Sequence, residues 1–179
     1  MGCDVVLSNV KQEIKEWLLT ILIAVVLVVI IRTFLLDSRI VPTASMVPTI
    51  QIGDRLFVEK ITHRFQGLER GDVVVFSPPA ASQLDDELIK RVVGLPGDTL
   101  KMEDGILYVN NEPQNEPYIA EPIQYEFPEL VVPEGKMFVL GDNRNRSYDS
   151  HEWGFADIST VKGKAWITYW PISRWKYWE

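Results

Sequence analysis

The sequence has few residues that bind metal ions or form disulfides. Cys3 is its only cysteine, and His63 and His151 are its only histidines. A single thiol excludes an internal disulfide and a cysteine-rich metal site. The pair His151 and Glu152 lacks the second histidine of a zincin helix, and there is no glycine-rich phosphate loop. We therefore expect neither a metal ion nor another cofactor.

Two further patterns are missing: a cluster of basic residues and the Gly-x-Ser-x-Gly elbow of α/β-hydrolases. The net charge is −7, and all of it belongs to residues 37–179, because residues 1–36 carry three basic and three acidic side chains. An acidic body repels phosphate backbones, so we do not expect nucleic acid as a partner.

One long apolar segment lies near the amino terminus. Residues 17–31 carry no charge, and only Arg32 interrupts the apolar run before Leu36. Twenty residues of helix span about 30 Å, the thickness of a hydrocarbon core. The segment is longer than the apolar part of a typical signal peptide, and it lacks the polar stripe of a soluble helix. We therefore expect residues 17–36 to form a membrane anchor, with Trp17 at the interface.

Beyond this segment, the sequence predicts short strands joined by Gly-Asp turns, which favours an all-β domain over βαβ units. The predicted strands are residues 55–58, 73–76, 88–95, 99–102, 106–109, 137–140 and 165–169. Residues 110–135 contain five prolines and predict an extended surface loop. The C-terminus is rich in aromatic residues, which favour the membrane interface and core packing equally. They are Tyr169, Trp170, Trp175, Tyr177 and Trp178.

Residues 41–49 place a serine between two prolines. Pro42 and Pro48 each fix a φ angle, so the loop around Ser45 is restrained on both sides. A serine in a loop is usually only a solvated hydroxyl group. Ser45 is therefore a candidate nucleophile only if a base lies beside it.

Residues 88–93 place one cation on each face of a predicted strand, Lys90 on one face and Arg91 on the other. Such cations can protect an edge strand against aggregation. Alternatively, one of them is buried and serves as a base. Lowering the pKa of a lysine from about 10.4 to near 7 requires roughly 4 kcal/mol, and arginine cannot be shifted in this way. If the strand supplies a base, the base is Lys90.

Residues 141–150 follow the strand at 137–140 and combine two aspartates, two arginines and two serines. Glycine, aspartate, asparagine and serine favour turns, so a polar turn is one interpretation. The other is a set of hydrogen-bonding groups that hold a catalytic lysine in position.

Four stretches together, at residues 45–49, 71–76, 90–98 and 141–150, resemble type I signal peptidases. These are membrane-bound serine proteases that remove signal peptides from exported proteins. The stretches follow the family's order behind an apolar segment, and the sequence is most similar to the compact cyanobacterial and thylakoid branch. The resemblance implies a mostly β fold, in which a coiled antiparallel β-sheet catalytic domain follows one N-terminal transmembrane helix.

The resemblance also implies roles for individual residues. Ser45 would be the nucleophile and Lys90 the general base. The Ser45 backbone N–H and the Thr43 hydroxyl would form the oxyanion hole. Ser147 would orient the Lys90 amine. The other supporting residues would be Asp142, Arg144 and Asp149, and the small apolar substrate pockets would be lined by Val41, Met46, Ile50 and Ile89. Many relatives carry arginine at position 151, so pairing of His151 with Asp149 would be weaker or pH-dependent.

By the same resemblance, residues 1–16 form a short cytosolic N-terminus, residues 17–36 the anchor, and residues 37–179 the catalytic domain. That domain would lie on the periplasmic or lumenal side of the cell membrane or thylakoid membrane. Basic residues flank the anchor almost equally and leave this orientation open. Expected partners are membrane lipid and the signal peptides of exported preproteins, and an association with the export machinery stays open.

Two other functions are considered. A membrane-tethered, non-catalytic β module could bind exported chains without cutting them, but it would need neither Ser45 nor Lys90. A self-cleaving regulator could use a similar serine–lysine site. The apolar segment and the lack of a DNA-binding segment argue against that regulator.

Overall fold

A computed structural model describes residues 2–178, and it describes side chains from residue 12 onward. The chain divides into two compact units, Met1–Leu36 and Asp37–Glu179.

The first unit is helical. Helix α1 covers Gly2–Ile30, and a π-helical turn covers Ile31–Leu35. The segment Gln12–Leu35 is long and apolar enough to cross a membrane, and all of its side chains are exposed. A helix that is apolar on every side is expected inside lipid or a protein core rather than in water. Helix α1 continues through position 16, so the predicted border between N-terminus and anchor is not a helix end.

The second unit consists mainly of strands. The strands are β1 Leu36–Ile40, β2 Arg55–Glu59, β3 Val73–Phe76, β4 Leu88–Gly94, β5 Thr99–Glu103, β6 Ile106–Val109, β7 Glu112–Pro113, β8 Phe127–Val131, β9 Lys136–Leu140, β10 Ala156–Asp157, β11 Val161–Trp170 and β12 Lys176–Tyr177. Two short α-helices are α2 Thr62–Phe65 and α3 Ser150–Trp153. Short 3₁₀ turns cover Ala80–Ser82, Arg144–Arg146, Ile158–Thr160 and Ile172–Arg174.

Within the described residues, the strands form two sheets. The first has the order β1-β2-β11-β3-β4-β9-β10, with β12 added to β11, and the second has the order β7-β6-β5-β8. The pairs β2–β11, β3–β4, β4–β9 and β5–β6 are all antiparallel. Register shifts interrupt β11 and the β4–β9 pair, and such bulges bend and twist a sheet. The predicted mostly β, coiled antiparallel fold with one N-terminal apolar helix is confirmed.

All seven predicted strands are present, within a few residues of their predicted ends. The prediction of a plain surface loop at residues 110–135 is wrong. This segment contains β7 and β8, the two edge strands of the second sheet. Proline lacks a backbone N–H and is tolerated at sheet edges, which is where Pro113 and Pro128 lie.

Three apolar clusters form the core of the second unit. One joins Leu100, Met102 and Leu107 of the second sheet to Phe138 and Leu140 of the first sheet. A second packs around Val74, Phe76 and Val139. The third combines Val41, Met46, Ile50, Leu56, Val73 and Ala165, and it lies beneath the loop that carries Ser45.

Only some of the C-terminal aromatic residues pack against the β domain. Tyr169 stacks on Phe57 with ring centroids 4.3 Å apart, and the Trp178 indole N–H donates to the Thr168 hydroxyl at 3.1 Å. In contrast, half or more of the surface of Trp170, Trp175 and Tyr177 is exposed. Core packing therefore accounts for part of this segment only.

Candidate active site

The serine loop, residues 41–49, is fixed to the third apolar cluster by its buried side chains. Val41 and Met46 are at most 2% exposed. The Val41 N–H donates to the Asp54 carbonyl at 2.9 Å, and the Val41 carbonyl accepts from the Gly53 N–H at 2.8 Å. These contacts leave the backbone around Ser45 little freedom to move.

The serine loop is also bonded to residues 141–150, which we call the polar loop. The Asn143 N–H donates to the Ser45 carbonyl at 2.9 Å, and the Asn143 side-chain amide donates to the Ala44 carbonyl at 3.0 Å. A Cβ atom at Gly141 would collide with the Ser45 carbonyl and the Ser147 side chain. Only glycine therefore lets the two loops approach this closely.

Lys90 lies on β4 with its amine in the interior. The residue is 3% exposed, and its amine donates to the Ser147 hydroxyl at 2.9 Å. Burial lowers the pKa of Lys90 to about 8, and the carboxylates of Asp149 and Asp142 partly oppose that shift. A substantial fraction of this amine is therefore neutral in mildly alkaline solution.

The Ser45 hydroxyl lies 3.3 Å from the Thr43 hydroxyl. Ser45 and Lys90 line the same cleft, and within residues 12–178 no direct hydrogen bond joins their side chains. Hydrogen bonds between reacting groups are often long in free enzymes and shorten when substrate binds. The structure thus places a hydroxyl and a buried amine at one cleft.

Arg91, the next residue on β4, is held by a carboxylate. Its guanidinium donates to both Asp142 oxygens at 2.8 and 2.7 Å and to the Gly71 carbonyl at 2.7 Å. The guanidinium also lies 4.0 Å from the centre of the Tyr118 ring. Asp142 is thereby fixed at the start of the polar loop.

Asp149 joins the two ends of the polar loop. It is fully buried, and its carboxylate accepts from the Gly141 N–H at 2.8 Å. The other carboxylate oxygen lies 2.7 Å from His151 Nδ1, and the His151 ring stacks on Tyr125 with centroids 4.0 Å apart. His151 therefore occupies the position that the resemblance gave to a partner of Asp149.

Arg144 bonds to a carboxylate that sequence reasoning missed. Its guanidinium donates to both oxygens of Glu116 at 2.7 Å and to the Gly141 carbonyl at 3.0 Å. The Tyr118 hydroxyl donates to the same Glu116 carboxylate at 2.7 Å. Glu116 lies in the proline-rich segment that was predicted to be a surface loop, and nothing in the local sequence distinguishes it from exposed glutamates nearby.

The cleft has a volume of about 530 Å³. Its lining combines the serine loop, through Val41, Thr43, Ser45 and Met46, with Ile89 and Lys90 of β4. The predicted pocket residue Ile50 is fully buried in the third apolar cluster, behind that lining. Arg39 and Glu87 also line the cleft, and they form an ion pair at 2.9 Å.

The family model for signal peptidases, peptidase S26, matches residues 14–170. The chain belongs to this family. Its relatives include a probable signal peptidase I-2 of Synechocystis sp., 46% identical over 87% of this chain and 72% of that protein. A signal peptidase I of Leptolyngbya laminosa is 42% identical over 91% of this chain and 83% of its own length.

A probable thylakoidal processing peptidase 2 of Arabidopsis thaliana is 40% identical over 84% of this chain and 42% of that protein. A crystal structure of a signal peptidase I from Enterococcus faecalis V583 superimposes with a TM-score of 0.49 at 34% identity, covering 54% of this chain and 95% of that one. The predicted membership of the signal peptidase I family, with cyanobacterial and thylakoid relatives, is confirmed. The enzyme class is that of a serine endopeptidase.

Proposed function

We propose that this signal peptidase cuts signal peptides from exported preproteins with Ser45 as nucleophile and Lys90 as general base. One observation carries the proposal. A buried amine with a pKa lowered to about 8 lines the same cleft as a serine in a restrained loop. A lysine of this kind can accept the proton of a hydroxyl at a pH where ordinary lysines are fully charged.

In the proposed first step, Ser45 Oγ attacks the carbonyl carbon of the scissile peptide bond, and its proton passes to the neutral Lys90 amine. The Ser147 hydroxyl, 2.9 Å from that amine, holds it in position. The protonated amine then gives its proton to the leaving nitrogen, and the peptide C–N bond breaks. Water, deprotonated by Lys90, hydrolyses the resulting ester and restores the serine.

Thr43 and the Ser45 backbone N–H are the proposed oxyanion donors. The Thr43 hydroxyl lies on the same side of the loop as Ser45 Oγ, at 3.3 Å from it. A donor placed where negative charge develops lowers the barrier by about 3 to 4 kcal/mol. The proposed supporting residues act through Gly141, which lies against the Ser147 side chain. Asp149 accepts from the Gly141 N–H, Arg144 donates to the Gly141 carbonyl, and Asp142 is held by Arg91.

The proposed substrate is an extended chain with small residues before the cleaved bond. The cleft wall beside Ser45 is apolar through Val41, Met46 and Ile89, and the side chains of Val41 and Met46 are almost fully buried. Such a wall offers space to small side chains such as alanine, which supports cleavage after a small-x-small motif. Ile50 acts only indirectly in this proposal, as support behind Met46.

The exposed apolar helix supports a single-pass anchor that contacts membrane lipid. We place the N-terminus in the cytosol and residues 37–179 on the periplasmic or lumenal side. Exported preproteins present their cleavage regions on that side, in the cell membrane or the thylakoid membrane. An association with the export machinery stays a prediction, which crosslinking in intact membranes would test.

The proposal is tested with the full chain in detergent and a preprotein that carries a small-x-small cleavage region. The unmodified protein should release the mature part, with its new N-terminus at the predicted bond. Ser45→Ala and Lys90→Met should each lower kcat by about 10³-fold, because a base and its nucleophile act as a unit. Lys90→Arg should be as inactive, since guanidinium stays charged.

Ser77→Ala provides a matched control, because it removes a serine hydroxyl outside the cleft lining. It should cleave the preprotein at the normal rate. If Ser45→Ala or Lys90→Met cleaves as fast as this control, the proposed dyad is wrong.

A further inference from the structure

We propose that Glu116 and Tyr118 are positioning residues of this peptidase. They hold the serine loop, the polar loop and β4 in fixed positions relative to one another. We call residues 116–118 the strap. This inference rests on the proposed roles of Ser45 and Lys90 and adds to them residues that the catalytic scheme does not use.

The strongest contact of the strap is a buried ion pair with the polar loop. The side chains of Arg144 and Glu116 are 1% and 6% exposed, and two hydrogen bonds of 2.7 Å join them. Burial alone would lower the pKa of Arg144, but the hydrogen bonds and charge of Glu116 raise it, so the guanidinium stays charged. A charged pair with this geometry defines the position of both side chains.

Arg144 connects Glu116 to Gly141, which lies beside the Lys90 site. Its third donor group bonds to the Gly141 carbonyl at 3.0 Å, while the Gly141 N–H is held by Asp149. Gly141 is in contact distance of both the Ser45 carbonyl and the Ser147 side chain. The peptide units on both sides of Gly141 are therefore fixed by side chains, one of which depends on Glu116.

A second contact of the strap reaches β4. The Tyr118 ring lies under the Arg91 guanidinium at 4.0 Å from its centre, and the Tyr118 hydroxyl bonds to Glu116. Arg91 directly follows Lys90 in the chain and binds Asp142. The strap thus touches one cation from β4 and one from the polar loop.

A third contact reaches the serine loop, where the Thr49 hydroxyl donates to the Tyr118 carbonyl at 3.5 Å. Neither Glu116 nor Tyr118 lines the 530 Å³ cleft. The strap therefore acts on the reaction through Arg144, Arg91 and the serine loop, and not by touching the substrate.

The test compares Glu116→Gln with Glu112→Gln in the full chain in detergent. Both variants remove one carboxylate charge from the same proline-rich segment, and Glu112 is exposed. We expect Glu116→Gln to lower kcat by about 10- to 100-fold with KM changed less than about twofold, because small misplacements of reacting groups have effects of this size. Glu112→Gln should match the unmodified enzyme.

The pH profile separates positioning from a general loss of structure. Burial lowers the pKa of Lys90, and the charges that act on it are the carboxylates of Asp149 and Asp142. Glu116→Gln should therefore lower kcat at every pH and leave its acidic limb in place, as in Glu112→Gln, whereas a site that has opened would expose Lys90 and move the limb to higher pH. A normal kcat, a change in KM alone, or a limb moved to higher pH would each overturn the proposal.

If Glu116→Gln fails to fold, the double variant Glu116→Leu with Arg144→Met replaces the test. Removing both charges of a buried pair together is often tolerated. The double variant should be folded and low in kcat, and a normal kcat in it would overturn the proposal. Ser45→Ala distinguishes the two levels of inference. Activity in Ser45→Ala refutes the proposed dyad, whereas inactivity in Ser45→Ala with normal activity in Glu116→Gln refutes only the strap.

Discussion

Lys90 and Arg91 are consecutive residues of β4, and both are buried, at 3% and 7% exposure. Their surroundings differ in charge. Arg91 shares two hydrogen bonds with Asp142 and a third with a backbone carbonyl. Within the described part of the chain, the Lys90 amine donates to the neutral hydroxyl of Ser147. Two neighbouring positions on one strand thus each bury a cation, one beside a carboxylate and the other beside a neutral hydroxyl.

The difference separates Arg91, a cation that fixes the position of a loop, from Lys90, a cation that is proposed to act as a base. A buried charge with a bidentate carboxylate stays charged and fixes geometry. Burial lowers the pKa of Lys90 to about 8, because its amine bonds to a neutral hydroxyl and the carboxylates of Asp149 and Asp142 only partly oppose the shift. At similar depth, the type of cation and the charge of its partner together decide which of the two stays charged.

The largest expected effect concerns Arg91, the cation that pairs with a carboxylate. Arg91→Met leaves the buried Asp142 carboxylate without its cation, so the free energy of unfolding should fall by about 3 to 5 kcal/mol. Lys90→Met replaces a buried amine by an apolar group of similar length, so the change should stay within about 1.5 kcal/mol. Chemical denaturation of both variants in the same detergent measures the two values. Equal losses in both variants would contradict the distinction.

The next effect concerns Lys90, the proposed base. The proposed base, Lys90, must be neutral to accept a proton, so kcat should rise with pH and reach half of its maximum near pH 8. Below that pH the rate should fall about tenfold per unit, because the protonated fraction of Lys90 grows in that proportion. Rates at saturating preprotein between pH 6 and 10 measure the limb. A rate that still rises about tenfold per unit up to pH 10, as the ordinary lysine pKa of 10.5 would give, would show that burial does not tune this amine.

Local patterns predicted most of the strands and the pair of cations on β4. The alternation of residues 88–93 placed one cation on each face of the strand and left open whether they protect an edge or whether one of them is buried. The structure buries both. The pattern could not say which cation has a carboxylate, because Asp142 lies 51 residues further along the chain. Chemical reasoning that arginine cannot be a neutral base chose Lys90, and the family resemblance supplied Ser147.

The segment at residues 110–135 shows where sequence reasoning fails. Its prolines and acidic residues are typical of an exposed loop, yet Ile123 and Val132 are buried and Glu116 pairs with Arg144. The Glu116–Arg144 contact spans 28 residues and has no local signature. Very short strands also escape prediction, since β7, β10 and β12 have two residues each and depend on the strands beside them.

The smallest expected effect comes from the negative charge of Asp149, which acts on the Lys90 amine. The Asp149 carboxylate opposes the lowering of the Lys90 pKa, so Asp149→Asn should lower that pKa further and move the acidic limb of kcat to lower pH. Asparagine keeps an oxygen that can accept from the Gly141 N–H, which limits loss of geometry. Asp157→Asn, which removes a half-exposed carboxylate that pairs with Lys136, is the matched control and should leave the limb in place. A limb that moves to higher pH, or equally in both variants, would mean that Asp149 acts on Lys90 only by shaping the polar loop.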